Sequence, residues 1–353
     1  MWAPILDHVP LPFFGSILGQ RRSWLCLVQI TGIAGLLGMI SQNPIENLYG
    51  FVGCGFLVTI SAASQHILLL TYQMETLHSR EWGVGEGMSV FAYRMAILTA
   101  GPGALSLATV LSWQEVYIFI IFLMLVGLMG VLFVRESELS QKRSLSFTTK
   151  GEWVRYALIH PFKDFMTQKG WIAILVFMLI YRLPENLLST MQTLFLLDLG
   201  FTYIEISTVA KTFGMVASML GGFMGGHWIR QYGYKKTLFW GALAHGTSCL
   251  LFLAQGKLGA NLSFLYVTIG VEHFFSGVML TGFFSYQLTC ASMAFAATQL
   301  ALLTSFANLS GVIAKPLAGV LIDHFGWVPY FSLVVLASIP GVLWVYRIPF
   351  SRA

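Results

Sequence analysis

The chain has 353 residues, 56% of them hydrophobic and only 10% charged, with a formal net charge of +5 and a mean hydropathy of +0.74. Soluble domains carry about a quarter charged residues, and here the shortage runs along the whole chain. This excludes a soluble protein built on one buried core and points to an all-α polytopic membrane protein. The positive balance is no nucleic-acid signal, because Lys and Arg fall mainly in the joints between apolar runs.

A spanning helix needs about 20 mainly apolar residues. Ten runs qualify in chain order: 24–40, 48–74, 87–111, 116–134, 171–197, 204–229, 237–254, 262–288, 298–322 and 328–345. The stretch MWAPILDHVP before them reads as the tail of a further helix. No cleavable signal peptide is visible at the start: the apolar run is too short and has no basic flank. Cys26, Cys54, Cys249 and Cys290 lie in or beside apolar runs without a CxxC pair. They read as small buried residues, not as metal ligands or disulfides, and no cofactor is expected.

Basic residues orient the spans. With the joint before the first run in the cytoplasm, the cytoplasmic joints and C-terminus hold Arg21, Arg22, Arg80, Lys163, Lys169, Arg230, Lys235, Lys236 and Arg347, among others. The opposite side holds only Lys257. Arg94, Arg182, Lys211 and Lys315 fall inside spans. The longest joint divides the chain into an N-terminal bundle of four spans (1–134), a cytoplasmic central loop (135–169) and a C-terminal bundle of six (170–353). Within that loop, 152–165 reads as a short surface helix interrupted at Pro161.

Ionisable and polar groups at membrane depth are costly, so each is a functional candidate. The stretch 61–94 is the most polar inside a span. Its helix carries Gln65 and Tyr72 seven residues apart, and His66 and Gln73 likewise, which sets them on neighbouring stripes. His66 suits either proton relay or hydrogen-bonded packing. Arg94 is placed to bind a carboxylate through its planar fork or to form a structural ion pair. Glu185 follows Pro184, and Arg182 stands three residues earlier, a spacing that allows a local pair; Lys211 is the alternative partner from another helix. Glu272, beside His273 in the middle of a long span, suits a proton carrier. Lys315, next to Pro316, reads as a local pairing oddity. The glycine run Gly83, Gly85 and Gly87 joins two helices, not a strand to a helix, and does not read as a phosphate loop.

A long basic joint between two bundles resembles the layout of the major facilitator superfamily. The turn Gly225–Lys236 (GGHWIRQYGYKK) resembles the cytoplasmic turn after the second helix of such a bundle. The resemblance sharpens to AmpG-type muropeptide permeases when several segments are taken together. These are MWAPILDHVPLPFFG with Gln20-Arg21-Arg22, Ala63-Ser64-Gln65, Tyr93-Arg94, Lys211-Thr212 with Gly214, Glu272, and Ala297-Thr298-Gln299. It covers nearly the whole chain through the order and spacing of many small matches.

The resemblance implies a secondary transporter of the bacterial inner membrane that imports anhydromuropeptides, sugar-peptides released from peptidoglycan, together with protons. It also implies conformational-motif residues: Asp7, Arg21 and Arg22 in the first joint, and Gly226, Arg230, Gly233, Lys235 and Lys236 in the second. Two departures stand against the pattern. The first helix and most of the second are missing from the front of the chain. And His66, Leu70 and Gln73 stand where aspartates and a lysine are expected. Alternative readings are a non-transporting remnant, half of a split transporter completed by a second chain, or a facilitator with another small-molecule cargo.

Overall fold

Apolar runs bounded by strong caps dictate the elements. Ser112 and Glu115 form a reciprocal capping box before one helix, and Thr202 and Glu205 form another. Asn47 and Asn261 cap two more by accepting the amides of Gly50 and Phe264; each cap satisfies N–H groups that the first turn leaves open. The computed structural model describes residues 2–9, 11, 15, 18–134, 136 and 155–350, and every regular element among them is helical.

In order, the helices are α1 (Ala3–His8), α2 (Gln20–Ser41), α3 (Leu48–Thr76), α4 (Trp82–Leu98), α5 (Ala104–Leu107), α6 (Trp113–Phe133), α7 (His160–Met166) and α8 (Trp171–Tyr181). They continue with α9 (Leu183–Asp198), α10 (Tyr203–Ile206), α11 (Gly214–Ser248), α12 (Leu250–Leu258), α13 (Leu262–Cys290), α14 (Ala296–Phe325) and α15 (Trp327–Trp344). Short π-helical stretches, Thr99–Gly103 and Ser207–Phe213, continue α4 into α5 and α10 into α11. Among the described residues, nine continuous helical segments are long and apolar enough to cross a membrane; one of them, Tyr203–Leu258, is 56 residues long. That one holds two of the ten predicted runs, because the backbone reverses at Gly233 (φ 80°, ψ 168°) inside α11. The left-handed φ is open to glycine without strain.

Of the central joint, Arg135 and residues 137–154 lie outside the described residues, including the start of the predicted surface helix. Its described part is π-helical over Arg155–Ile159 and continues into α7. Pro161 therefore lies inside a continuous helical run and does not end it; the π-helical turn just before it is the irregularity in this run.

Contacts divide the chain into two units, one made of residues 1–77, 96–164 and 292–301, the other of 78–95, 165–291 and 302–353. In the first, α2 packs closely on α3: a Cβ at Gly35 would meet the Val58 side chain at 2.8 Å, and one at Gly38 the Cys54 sulfur at 2.5 Å. In the second, Gly221-Gly222 and Gly225-Gly226 of α11 give two interleaved glycine faces. A Cβ at Gly221 would lie 1.9 Å from the Phe274 carbonyl of α13, and one at Gly226 would lie 2.6 Å from the Gly83 carbonyl of α4. Gly87 of α4 makes a similarly close approach to Gly222. The glycines that resemble a phosphate loop thus serve helix–helix approach. Two apolar clusters complete this unit, one around Phe195, Phe252 and Phe331, the other around Phe177, Phe283 and Tyr286.

Candidate functional site

The first unit holds a buried charge cluster. Arg21, in the first turn of α2, places Nη2 2.9 Å from Asp7 Oδ1 and 2.8 Å from Glu75 Oε1, with all three side chains inaccessible to solvent. Its Nη1 donates to the Leu6 carbonyl at 2.8 Å. Asp7 also lies against the N-terminus of α14. The Thr298 amide and hydroxyl donate to Oδ2 at 2.8 Å each, and the Ala297 amide donates to Oδ1 at 3.1 Å. Burial alone pushes the Asp7 carboxyl up, but the Arg21 guanidinium and the Thr298 donors outweigh it and hold the group below its ordinary value. Buried ions cost several kcal/mol each unless paired and hydrogen-bonded; here they are both.

Arg22 and Glu136 fasten the same place by exchanging helix ends. The Glu136 carboxylate accepts the amides of Arg21 and Arg22 at 2.8 and 3.1 Å, capping α2. Arg22 in turn donates to the Val131 and Leu132 carbonyls at the C-terminus of α6. Both contacts match the sign of the helix dipole. Gly19 makes room: it has φ 85°, and a Cβ there would sit 2.3 Å from Glu136 Cγ. One residue further along α14 than Thr298, Gln299 donates to the Pro161 carbonyl and to Asp164 Oδ2 at 3.0 and 2.9 Å.

The second unit holds a different cluster. Glu272 of α13 is 4% exposed. His245 of α11 brings Nε2 to 3.3 Å from its Oε1, and His273 brings Nδ1 to 2.5 Å from its Oε2. Gly214, at the start of α11, leaves the space for the His273 ring, since a Cβ there would lie 2.7 Å from its Cδ2. The hydroxyls of Thr281 and Ser285 on α13, and of Ser218 on α11, are buried with no hydrogen-bond partner among the described residues. No group of His, Cys, Asp and Glu among those residues has the arrangement to hold a metal ion. The sequence singles out Glu272 and His273. It does not single out His245, which lies in an ordinary-looking apolar run 27 positions earlier; only its place inside a span marks it.

The other candidates are scattered. Glu185 pairs with Arg182 at 3.2 Å, so the local pairing forms and the one with Lys211 does not. Arg182 also reaches Asn308 Oδ1 at 3.4 Å, and stands at the break between α8 and α9. Lys211 is exposed within the π-helical Ser207–Phe213 and has no ion pair or hydrogen bond among the described residues. Such irregular turns recur at functional sites. Arg94 is half-buried, its Nε fully buried without a hydrogen-bond partner among the described residues. On α3, Gln65 and Tyr72 are half-buried, whereas His66 is exposed. Arg94 and this face of α3 belong to different units. Lys315 is exposed and, among the described residues, without the local pair expected of it. In the α11 turn, Gly226 is buried against α4, Gly233 makes the reversal, and Arg230, Lys235 and Lys236 are exposed.

The sequence matches the model of the Major Facilitator Superfamily over residues 2–222 and 185–352. It is 30% identical over 349 residues to "Putative transporter AmpG 2" of Rickettsia bellii, covering 99% of this chain and 84% of that one. It is 31% identical over 351 residues to the protein of the same name from Rickettsia typhi, with 99% and 83% covered. Among solved structures, the fold is similar to the proton:xylose symporter XylE (TM-score 0.69, 13% identity, 98% and 83% covered) and to the human organic anion transporter MFSD10 (TM-score 0.72, 15% identity, 97% and 80% covered).

Proposed function

The chain belongs to the Major Facilitator Superfamily and is a multi-pass secondary transporter, not an enzyme; from that premise we propose that it imports anhydromuropeptides with protons across a bacterial inner membrane. The likeness to proteins named as AmpG transporters supports the cargo. The observation that carries this function is Glu272 held between His245 and His273 within the spanning helices. One carboxylate within reach of two imidazoles offers three neighbouring places for a proton to rest. Such a group takes up a proton from one side and releases it to the other when its surroundings change.

Substrate recognition falls to Arg94 and Lys211. Muropeptides carry carboxylates, and these two cations lack a protein carboxylate of their own among the described residues. Glu185, tied to Arg182, shapes the break between α8 and α9, and Gln65 and Tyr72 offer polar groups to sugar and peptide. The Asp7–Arg21–Glu75 cluster serves as a latch at the start of α14, made in one state of the cycle and broken in another; Arg22 with Glu136 keeps its frame, and the turn at Gly226, Arg230, Gly233, Lys235 and Lys236 plays the matching part in the second half. The absent acids at positions 66 and 70 and the absent lysine at 73 favour proton coupling through Glu272 rather than through α3. The basic joints favour a cytoplasmic C-terminus.

Cells lacking their own permease and expressing this chain are expected to accumulate labelled anhydromuropeptide, and a protonophore is expected to abolish accumulation. Absence of uptake by a chain that reaches the membrane contradicts the cargo; uptake indifferent to the protonophore contradicts the coupling.

A further inference from the structure

The reversal inside α11 forms a cavity that the transport site does not use. It measures about 380 Å³ and is lined by Trp228 and Tyr232 from the limb before Gly233 and by Lys236, Thr237 and Trp240 from the limb after it. The turn joins two apolar limbs, so it lies at a membrane boundary, the depth at which Trp and Tyr rings settle. Tyr232 and Trp240 are about half exposed, at 51% and 55%, and open the cavity outward.

The two adjacent lysines of the turn differ. Lys235 places its ammonium 4.8 Å from the centre of the Tyr346 ring. Lys236 lines the cavity and has no ion pair or hydrogen bond among the described residues. Neither limb answers its charge: the chain has no Asp or Glu between Glu205 and Glu272, while Arg230 and Lys235 add to the positive field. A cavity at the membrane boundary with aromatic walls and one unanswered cation suits a ligand that is half apolar and half anionic.

We propose that this cavity holds the headgroup of an anionic phospholipid, its phosphate on the Lys236 ammonium and its glycerol and first acyl carbons against Trp228 and Trp240. A free phosphate gains nothing from the indole walls, and the choline of a zwitterionic lipid is repelled by the three cations of the turn. A bound lipid touches both limbs at once and therefore favours the arrangement of the Gly233 turn seen here.

The test is quenching of tryptophan fluorescence in the purified full chain, reconstituted in phosphatidylcholine vesicles doped with brominated phosphatidylglycerol or, separately, with brominated phosphatidylcholine. Brominated phosphatidylglycerol is expected to quench more strongly at equal mole fraction. Lys236→Gln is expected to lower that preference by about fivefold, the factor that corresponds to about 1 kcal/mol per basic residue at an anionic surface. Trp240→Phe is expected to remove part of the selective quenching, and Lys257→Gln to leave the preference unchanged. Circular dichroism identifies any variant that has lost its helices, and Trp240→Phe gives a second reading if Lys236→Gln is one of them. Equal quenching by the two lipids, or a preference that survives both cavity substitutions, overturns the proposal. Relief of the quenching by excess soluble glycerol phosphate overturns it as well, since the site then binds the phosphate and not the lipid.

Discussion

Two buried charge clusters, one in each unit, are built on opposite plans. Around Arg21, each charge meets a partner of opposite sign and the surplus oxygens accept backbone or hydroxyl donors, as Thr298 and Ala297 show at Asp7. Around Glu272, one carboxylate is shared by two imidazoles, and nearby hydroxyls at Ser218, Thr281 and Ser285 stay without partners among the described residues. A closed network holds a geometry, because any change leaves an ion buried and unpaired. An open one has room for a proton to come and go. Under the proposed function, the difference separates the residues that hold the protein in a state from those that carry the proton.

The comparison breaks most readily at Arg21. Arg21→Ala leaves Asp7 and Glu75 buried without their cation, and is expected to lower stability by about 3–5 kcal/mol, read as an earlier thermal unfolding transition in detergent. Thr298→Val removes a charge-assisted hydrogen bond to Asp7 and is expected to cost about 1.5–3 kcal/mol. The same variant has a pH signature. Because the Asp7 carboxyl is held below its ordinary 3.8 in the folded protein, its contribution is complete above that pH and is lost as the pH falls through the lowered value. Thr298→Val weakens the hold and brings the folded-state value back toward 3.8, so less stability is expected to be lost as the pH falls below that value than in the unaltered chain.

In the open cluster the expected order reverses. Glu272→Gln keeps the size and hydrogen-bonding capacity of the side chain between His245 and His273. The stability is therefore expected to change little, within about 1 kcal/mol, while proton-driven accumulation is lost; His245→Gln is expected to move the pH profile of uptake. A drop in stability as large as that of Arg21→Ala would make the Glu272 cluster a structural network too. The smallest stability effect is expected at exposed Lys211, where Lys211→Gln stays within about 0.5 kcal/mol and shows itself as a raised KM for uptake.

Much of this was legible in the sequence. Hydropathy located the spans, and the glycine at 233 marked a reversal that the continuous helix Tyr203–Leu258 would otherwise hide. The i, i+3 spacing of Arg182 and Glu185 foretold their pair, because both partners sit next to one helix start. The basic first joint pointed to Arg21 and Asp7, but not to their closure by Glu75 and Thr298, which stand 54 and 277 residues away from Arg21. Likewise nothing in the run around His245 pairs it with Glu272. Local spacing encodes contacts within a helix, whereas contacts between helices depend on packing, here on the glycine faces of α11 that draw α13 and α4 close. Lys211 and Arg94 were legible as charges at membrane depth. The partner imagined for Lys211, Glu185, is taken by Arg182, which leaves Lys211 available to a substrate.

The central claim rests on Glu272 as the proton-coupling group, and uptake of labelled anhydromuropeptide into proteoliposomes under an imposed inward proton gradient tests it most directly. The unaltered chain is expected to concentrate the label only while the gradient lasts, and Glu272→Gln to equilibrate it without concentrating it at any pH. Concentrative uptake by Glu272→Gln with an unchanged pH profile would contradict the account.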